Sequence, residues 1–341
     1  MKRKNPTSKS LGNMIASTFN KYKLQVAISM IFLLLWLIFF TMNPEGFSDP
    51  ATYAAITSVA PFTIIPALSL TYVIISGEID LSFPSVMALG GWILAVTWRA
   101  LGPSPLGIIL ALLAGLVAGM LNGFLITKCK IPSLIATIGT MFLWRGVVLV
   151  ATEGFSIPLG RYRGVLIYQA LVGRIGSIPM QIIWAVIIAV VLWIFLNFHK
   201  FGAYIYYTGD NREAAKMLGI NTNKVLIYVY MLHGVIAAFA GILVTLEMAT
   251  FWPALGEIYL LKSIASVIVG GTPVTGGIGT IFGTFIGGLI LELIETGILA
   301  VGVTGFWIRL VHGVVIIVAL IAQVTIRERE IRRMRTIMGI S

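Results

Sequence analysis

The feature that most constrains this chain is a succession of uninterrupted apolar runs, most of them about 18–24 residues long. A helix rises about 1.5 Å per residue, so twenty such residues match a hydrocarbon core of about 30 Å. Ten runs stand out, at about 24–42, 54–75, 82–99, 106–127, 133–151, 180–198, 224–248, 258–272, 277–300 and 305–323. Strands of an outer-membrane barrel would alternate apolar and polar residues, and these runs do not. Only 11% of the residues are charged and 58% are hydrophobic, against about 25% charged in a soluble domain. The expectation is an all-α integral membrane protein with about ten transmembrane helices, folded as a single transmembrane domain over residues 1–341. The eighth run is short and ends in glycine, which reads as a broken or re-entrant element.

An even number of spans puts both termini on one side, and basic residues say which side. Seventeen Lys and Arg residues fall on one face: in the N-tail (1–23), at Lys128 and Lys130, at Lys200, Arg212, Lys216 and Lys224, and in the C-tail (324–341). Five fall on the other, at Arg99, Arg161, Arg163, Arg174 and Lys262. Both tails and the loop 199–223 are therefore expected in the cytoplasm. The net charge of +11 lies in loops and tails, so it speaks for membrane topology and against a nucleic-acid partner. The single cysteine, Cys129, excludes an internal disulfide, and His199, His233 and His312 lack metal-ligand spacing. The first run follows a polar stretch and precedes no small-residue cleavage site, so it reads as an anchor rather than a removable signal.

Within this apolar chain, "GDNREAAKMLGIN" (209–221) carries four charges, Asp210, Arg212, Glu213 and Lys216. Asp210 suits an N-cap, with Glu213 three residues later as in a capping box. Good helix formers follow, then Gly219 where a helix C-cap belongs. The expectation is a two-turn helix between two spans, with Ala214 and Ala215 offering a small-residue face. By these rules alone it is either a loop helix on the membrane surface or a docking element. "ISGEIDLSFPS" (75–85) puts Glu78 and Asp80 between two apolar runs, with Ser82 and Pro84 at a helix start. A carboxylate facing lipid costs about 2.5–3.5 kcal/mol on insertion scales, so both should face protein or water, as a capping turn or as a gate near a translocation path.

These stretches resemble a known family. Glu213-Ala214-Ala215 followed by Gly219 looks like the EAA–G loop of ATP-binding-cassette importer permeases, and the wider run is similar to that of ribose and simple-sugar permeases. "ISGEIDLS" (75–82) looks like their Gly-Ile-Asp-Leu-Ser motif, with Glu78 standing where Gly is usual. "IASVIVGGTPVTGGIGTIFGT" (264–284) looks like their Gly-rich segment, and "IPSLIATIGTMFLWRG" (131–146) also fits. The resemblance runs in order over roughly 25–325. It implies a bacterial cytoplasmic (inner) membrane permease subunit that imports a simple sugar or sugar-like solute by alternating access. It implies that Asp210, Asn211, Arg212, Glu213, Ala214, Ala215 and Gly219 couple it to a cytoplasmic ATP-binding subunit. The other implied partners are a second permease copy or a sister permease and a periplasmic or lipoprotein solute-binding protein. The chain has no GxxxxGK[ST] loop. It is therefore read as a non-enzyme without its own cofactor or metal, ATP and Mg being expected in the partner.

Two further patterns concern the membrane interior. Gly115, Gly119 and Gly123, and again Gly279, Gly283 and Gly287, form small-xxx-small stripes that allow close helix packing. Reflecting the last two runs about residues 302–303 brings Glu295 level with Arg309, and Glu292 level with His312. Intramembrane charges are usually paired and inward-facing, so these read as buried ion pairs or as contacts on a path. Arg145 is another interior charge, with Glu247 a candidate partner. Such carboxylates also suit a rival class, an ion-coupled secondary transporter. A purely structural membrane protein is the third class. Trp92, Trp98, Trp144, Trp252 and Trp307 serve either as interface markers or as sugar-stacking faces. The long loop 152–179 is either a plain connector or an external contact.

Overall fold

A computed structural model describes residues 23–338. The N-tail lies outside these residues except for Lys23, as do the last three residues of the C-tail. The elements are α1 (Lys23–Met42), α2 (Pro44–Ser48), α3 (Pro50–Ile75), α4 (Phe83–Leu101), α5 (Pro105–Thr127) and α6 (Ser133–Thr152). Next come β1 (Ile157–Pro158), α7 (Leu166–Val172), β2 (Arg174–Ile175), β3 (Ile178–Pro179), α8 (Met180–Phe198), α9 (Lys200–Asp210), α10 (Arg212–Met217) and α11 (Thr222–Glu247). The chain finishes with β4 (Thr250–Phe251), α12 (Tyr259–Val269), α13 (Ile281–Ala300) and α14 (Phe306–Met338).

Among the described residues, eight helices are long and apolar enough to cross a membrane: α1, α3, α5, α6, α8, α11, α13 and the first twenty residues of α14. The other two expected spans are of different character. Helix α4 has the length but a more mixed composition, and much of it is buried against its neighbours. Helix α12 has only 11 residues, about 16 Å at 1.5 Å per residue, or half of the hydrocarbon core. Beyond it the chain is a glycine-rich stretch, 270–280, that lies beside the start of α13 and the exit of α3. The eighth run is thus a broken span. The C-tail expected from residue 324 continues α14 as helix to Met338.

Helix α3 is the centre of the domain. Nearly all of it from Ser58 to Ile75 is buried, and it packs against α8, α11, α12 and α13. It carries Pro61 and Pro66 in its interior, each of which removes a backbone donor. Helix α11 lies along α4 and α5, while α1 rests on α13 through a small cluster of Ile28, Ile290, Ile294 and Ile298.

Glycine sets the closeness of these contacts. A methyl added at Gly115 would lie 2.6 Å from Ala238 Cβ, and one at Gly123 would lie 2.7 Å from Ile227 Cα; at Gly119 it would overlap the Tyr230 carbonyl. Backbone therefore meets backbone along α5 and α11, where lipid offers no hydrophobic drive and van der Waals contact must hold helices together.

The long loop 152–179 is tied down. Strand β1 pairs antiparallel with β4, Ile157 opposite Phe251, and β2 and β3 form a small hairpin. The Tyr162 hydroxyl donates to the Trp98 carbonyl at 2.8 Å, and the two rings meet edge to face.

Candidate functional site

Three stretches far apart in sequence converge at one end of the bundle: the exit of α3, the α9–α10 junction and the glycine-rich segment before α13. The contact is largely backbone on backbone. The Gly277 amide donates to the Ile75 carbonyl at 2.8 Å. A methyl at Gly209 would overlap that carbonyl, and one at Gly276 would lie 2.8 Å from Gly77 Cα. Gly77, Gly276 and Gly277 all have positive φ, which L side chains rarely adopt. The Tyr206 hydroxyl, on α9, donates to the Gly279 carbonyl at 2.8 Å. Burial pushes its pKa up to about 12, so it remains a donor throughout the physiological range.

Helix α10 is capped at both ends, with one correction at its start. Asp210 is the last residue of α9 and is exposed. The cap is Asn211, whose extended backbone (φ −154°, ψ 103°) breaks the helix and whose side chain accepts from the Ala214 amide at 3.0 Å. The expected box from Asp210 to Glu213 is absent because α9 runs on into Asp210; Glu213 instead binds Lys216 at 2.7 Å. At the far end, Gly219 has φ +80°. Its amide donates to Lys216, and that of Ile220 to Ala215, a Schellman closure. Ala215 and Ile220 are buried, whereas Met217 and Leu218 are 84% and 71% exposed.

Arg212 reaches inward from α10. Its guanidinium donates to the Glu78 carboxylate at 2.5 Å, with Glu78 nearly buried. Both residues line a groove of about 400 Å³ together with Thr127, Lys130, Ser133 and Lys216. Next to Glu78, the Ile79 backbone is held on both sides, its carbonyl by the Tyr230 hydroxyl at 2.9 Å and its amide by Ser133 Oγ at 3.3 Å. Asp80 accepts from the Ser82 amide and hydroxyl, both at 2.6 Å, and from Asn122 Nδ2 at 3.3 Å. Asn122 donates to Ser82 Oγ at 2.7 Å and accepts from Thr140 at 2.6 Å. His233 Nε2 stands 3.9 Å from Asp80, and its Nδ1 shares a proton with Ser69 Oγ at 2.8 Å. One buried polar network thus links α3, α4, α5, α6 and α11.

Comparison with known proteins decides the family. A family model described as branched-chain amino acid transport system / permease component matches residues 52–320. The chain belongs to that permease family. Among curated relatives, this permease is 34% identical to the ribose import permease protein RbsC of Haemophilus influenzae, over 82% of this chain and 87% of that one. It is 36% identical to RbsC of Bacillus subtilis, over 82% and 86%. It is 30% identical to the autoinducer 2 import system permease protein LsrC of Yersinia pseudotuberculosis, over 91% and 87%. No solved structure matches. The resemblance to sugar-type permeases of ATP-binding-cassette importers therefore holds, and the chain is a multi-pass inner-membrane protein.

Elsewhere in the permease, several expectations are corrected. Glu295 pairs with Lys262 on α12, not with Arg309. Arg309 is exposed on α14, and no ion pair joins it to Glu295 among the described residues. Glu292 is buried but does not meet His312, whose Nε2 lies 3.3 Å from the Leu291 carbonyl. Matching depth on a hairpin does not make two side chains face each other. Arg145 bonds the Pro253 and Leu255 carbonyls and lies 3.7 Å from Glu257, while Glu247 accepts from Gln181. The second glycine stripe is shorter than expected. Gly279 precedes the Thr280 cap of α13, so only Gly283 and Gly287 lie on the helix, where they press on Gly270 of the α12 end. No group of three or more possible metal ligands occurs among the described residues. Asn122, Thr140, His233 and Ser69 are the network members that motif reading missed. Their signal was available, since each is a polar side chain inside an otherwise apolar run.

Proposed function

We propose that this chain is the membrane subunit of an ATP-driven importer for a simple sugar or sugar-like solute. The substrate class rests on its relatives, whose names specify ribose and autoinducer 2. Two permease copies, or this chain and a sister, form the path. A solute-binding protein delivers the substrate outside, and ATP-binding subunits with ATP and Mg dock at the cytoplasmic end. Alternating access follows from rocking of the two halves.

One observation carries this reading. A helix of only six residues, α10, is closed at both ends by its own caps, exposes Met217 and Leu218 at its tip, and sits against the exits of the buried helices. Such an element suits docking into a groove of a separate ATPase. Asn211, Arg212, Glu213, Ala214, Ala215 and Gly219 build it, and Asp210 adjoins it. Glu78, Asp80 and Ser82 lie directly inward of it as gate or path residues.

The test is purification of the tagged chain from its own host, followed by reconstitution. An ATPase should co-purify, and uptake should require ATP. Gly219→Val forces a β-branched residue to positive φ, where it is strained; it should leave membrane insertion intact and uncouple uptake from hydrolysis. Proton-dependent uptake by the chain alone would instead establish the ion-coupled class and sink the proposal.

A further inference from the structure

We infer that the Arg212–Glu78 ion pair is the tie that carries movement of α10 into the membrane domain, with Asp80 and Asn122 distributing it among the helices. The inference rests on the proposed attachment of an ATPase at α10.

Of the polar contacts that α10 makes among the described residues, that of Arg212 alone leads inward. The Glu213–Lys216 pair stays on the surface, and Asn211 caps the helix itself. Arg212 spans from α10 to Glu78, which lies in the short connection between α3 and α4. That connection has no slack. Ile79 is clamped at its carbonyl by Tyr230 of α11 and at its amide by Ser133 of α6. One residue on, Asp80 caps the turn into α4 through Ser82 and reaches Asn122 of α5. Asn122 in turn receives Thr140 of α6. On the other side of Asp80, His233 of α11 stands 3.9 Å away and is tied to Ser69 of α3. From one guanidinium, hydrogen-bonded groups therefore reach α4, α5, α6 and α11, and Glu78 itself stands just beyond the end of α3.

The chemistry suits this role. The pair combines charge with a hydrogen bond, and charge-assisted bonds are shorter and stronger than neutral ones. Glu78 is nearly buried, so losing its partner would strand a carboxylate away from water. Lys130, in the same groove, belongs to the α5–α6 connection and not to α10.

The experiment uses the complete transporter, purified with its co-purifying ATPase and reconstituted with its binding protein. The quantity read is solute imported per ATP hydrolysed. Arg212→Gln and Glu78→Gln should each lower that ratio between about fivefold and a hundredfold, the usual span of linkage between sites, while hydrolysis continues. The double variant Glu78→Gln/Arg212→Gln leaves no buried charge unpaired and should be uncoupled too. The swap Glu78→Arg/Arg212→Glu should restore the ratio to within about threefold of the parent, less than the smallest loss expected of linkage. A double variant that imports with the parental ratio overturns the inference, as does a swap that assembles and hydrolyses ATP without recovering coupling. Failure of all four variants to assemble also overturns it, in favour of a role confined to folding. If no ATPase accompanies even the parent protein, the importer reading itself has failed, and that result is separate from these.

Discussion

Replacing Gly119 by alanine tests how the two most intimate helices are held. The new methyl would overlap the Tyr230 carbonyl oxygen of α11, and would lie 2.7 Å from that carbonyl's carbon and 2.9 Å from Met231 Cα, where ordinary contact begins at 3.4 Å. Helices α5 and α11 would have to part by more than an ångström to relieve the clash with that oxygen. Overpacking usually costs about 1–3 kcal/mol because side chains can shift aside. Here the obstacle is main chain on a buried helix, so the upper end, about 3 kcal/mol, is expected. Separation would also loosen Gly115 and Gly123, which share the same seam. Gly139→Ala on α6 is the control, since nothing stands within 4 Å of its added methyl. That change should be neutral or stabilising by about 0.5–1 kcal/mol through helix propensity. Thermal unfolding in lipid nanodiscs would read both, with a lowering for Gly119→Ala on the order of 5 °C or more. A Gly119→Ala protein with the parental midpoint, or a Gly139→Ala protein equally damaged, would refute the argument from backbone contact.

Three other outcomes follow from the structure. Asn211→Ala should destabilise α10 by about 1 kcal/mol, the usual worth of an N-cap, and speed hydrogen exchange at Ala214, whereas Asp210→Ala should leave that amide unchanged. Met217→Asp with Leu218→Asp should preserve folding and insertion but reduce ATPase recovery in a pull-down; undiminished recovery would place the docking contact elsewhere. Lys262→Met leaves the half-buried Glu295 without its partner and should lower stability by about 1–3 kcal/mol, measured by thermal unfolding. Arg309→Met should change little, and equal effects would restore the pairing read from hairpin depth.

Long apolar runs made the membrane class and most helices legible, because burying the backbone donors and acceptors of about twenty residues in hydrocarbon leaves helix as the simple solution. The break after α12 was visible as glycine at the end of a short run. The start of α10 was misplaced by one residue, since Asp210 and Asn211 are both good caps and only the preceding α9 decides between them. The ion pairs were misassigned for a geometric reason. Sequence spacing along a hairpin yields depth, but each residue turns a helix by about 100°, and the azimuth of Glu295 toward Lys262 depends on how α12 packs. Asp80 and Ser82 were visible as a motif, but their partners escaped because Ser69, Asn122, Thr140 and His233 are single residues on four helices that no local pattern joins. Glu78 looked like a departure from its family's glycine; Arg212 gives it a partner that no linear motif displays.

The seam between Ile75, Gly77, Gly209, Gly276 and Gly277 has one more consequence. Most packed surfaces are compliant, because side chains can change rotamer and absorb a small displacement before the main chain feels it. At this seam there are almost no rotamers to change: an amide at Gly277 meets a carbonyl at Ile75, and Gly209 leaves no room for anything between them. A push arriving at the end of α9 therefore meets a stiff bearing, and the travel lost to local adjustment at this joint is as small as a polypeptide permits.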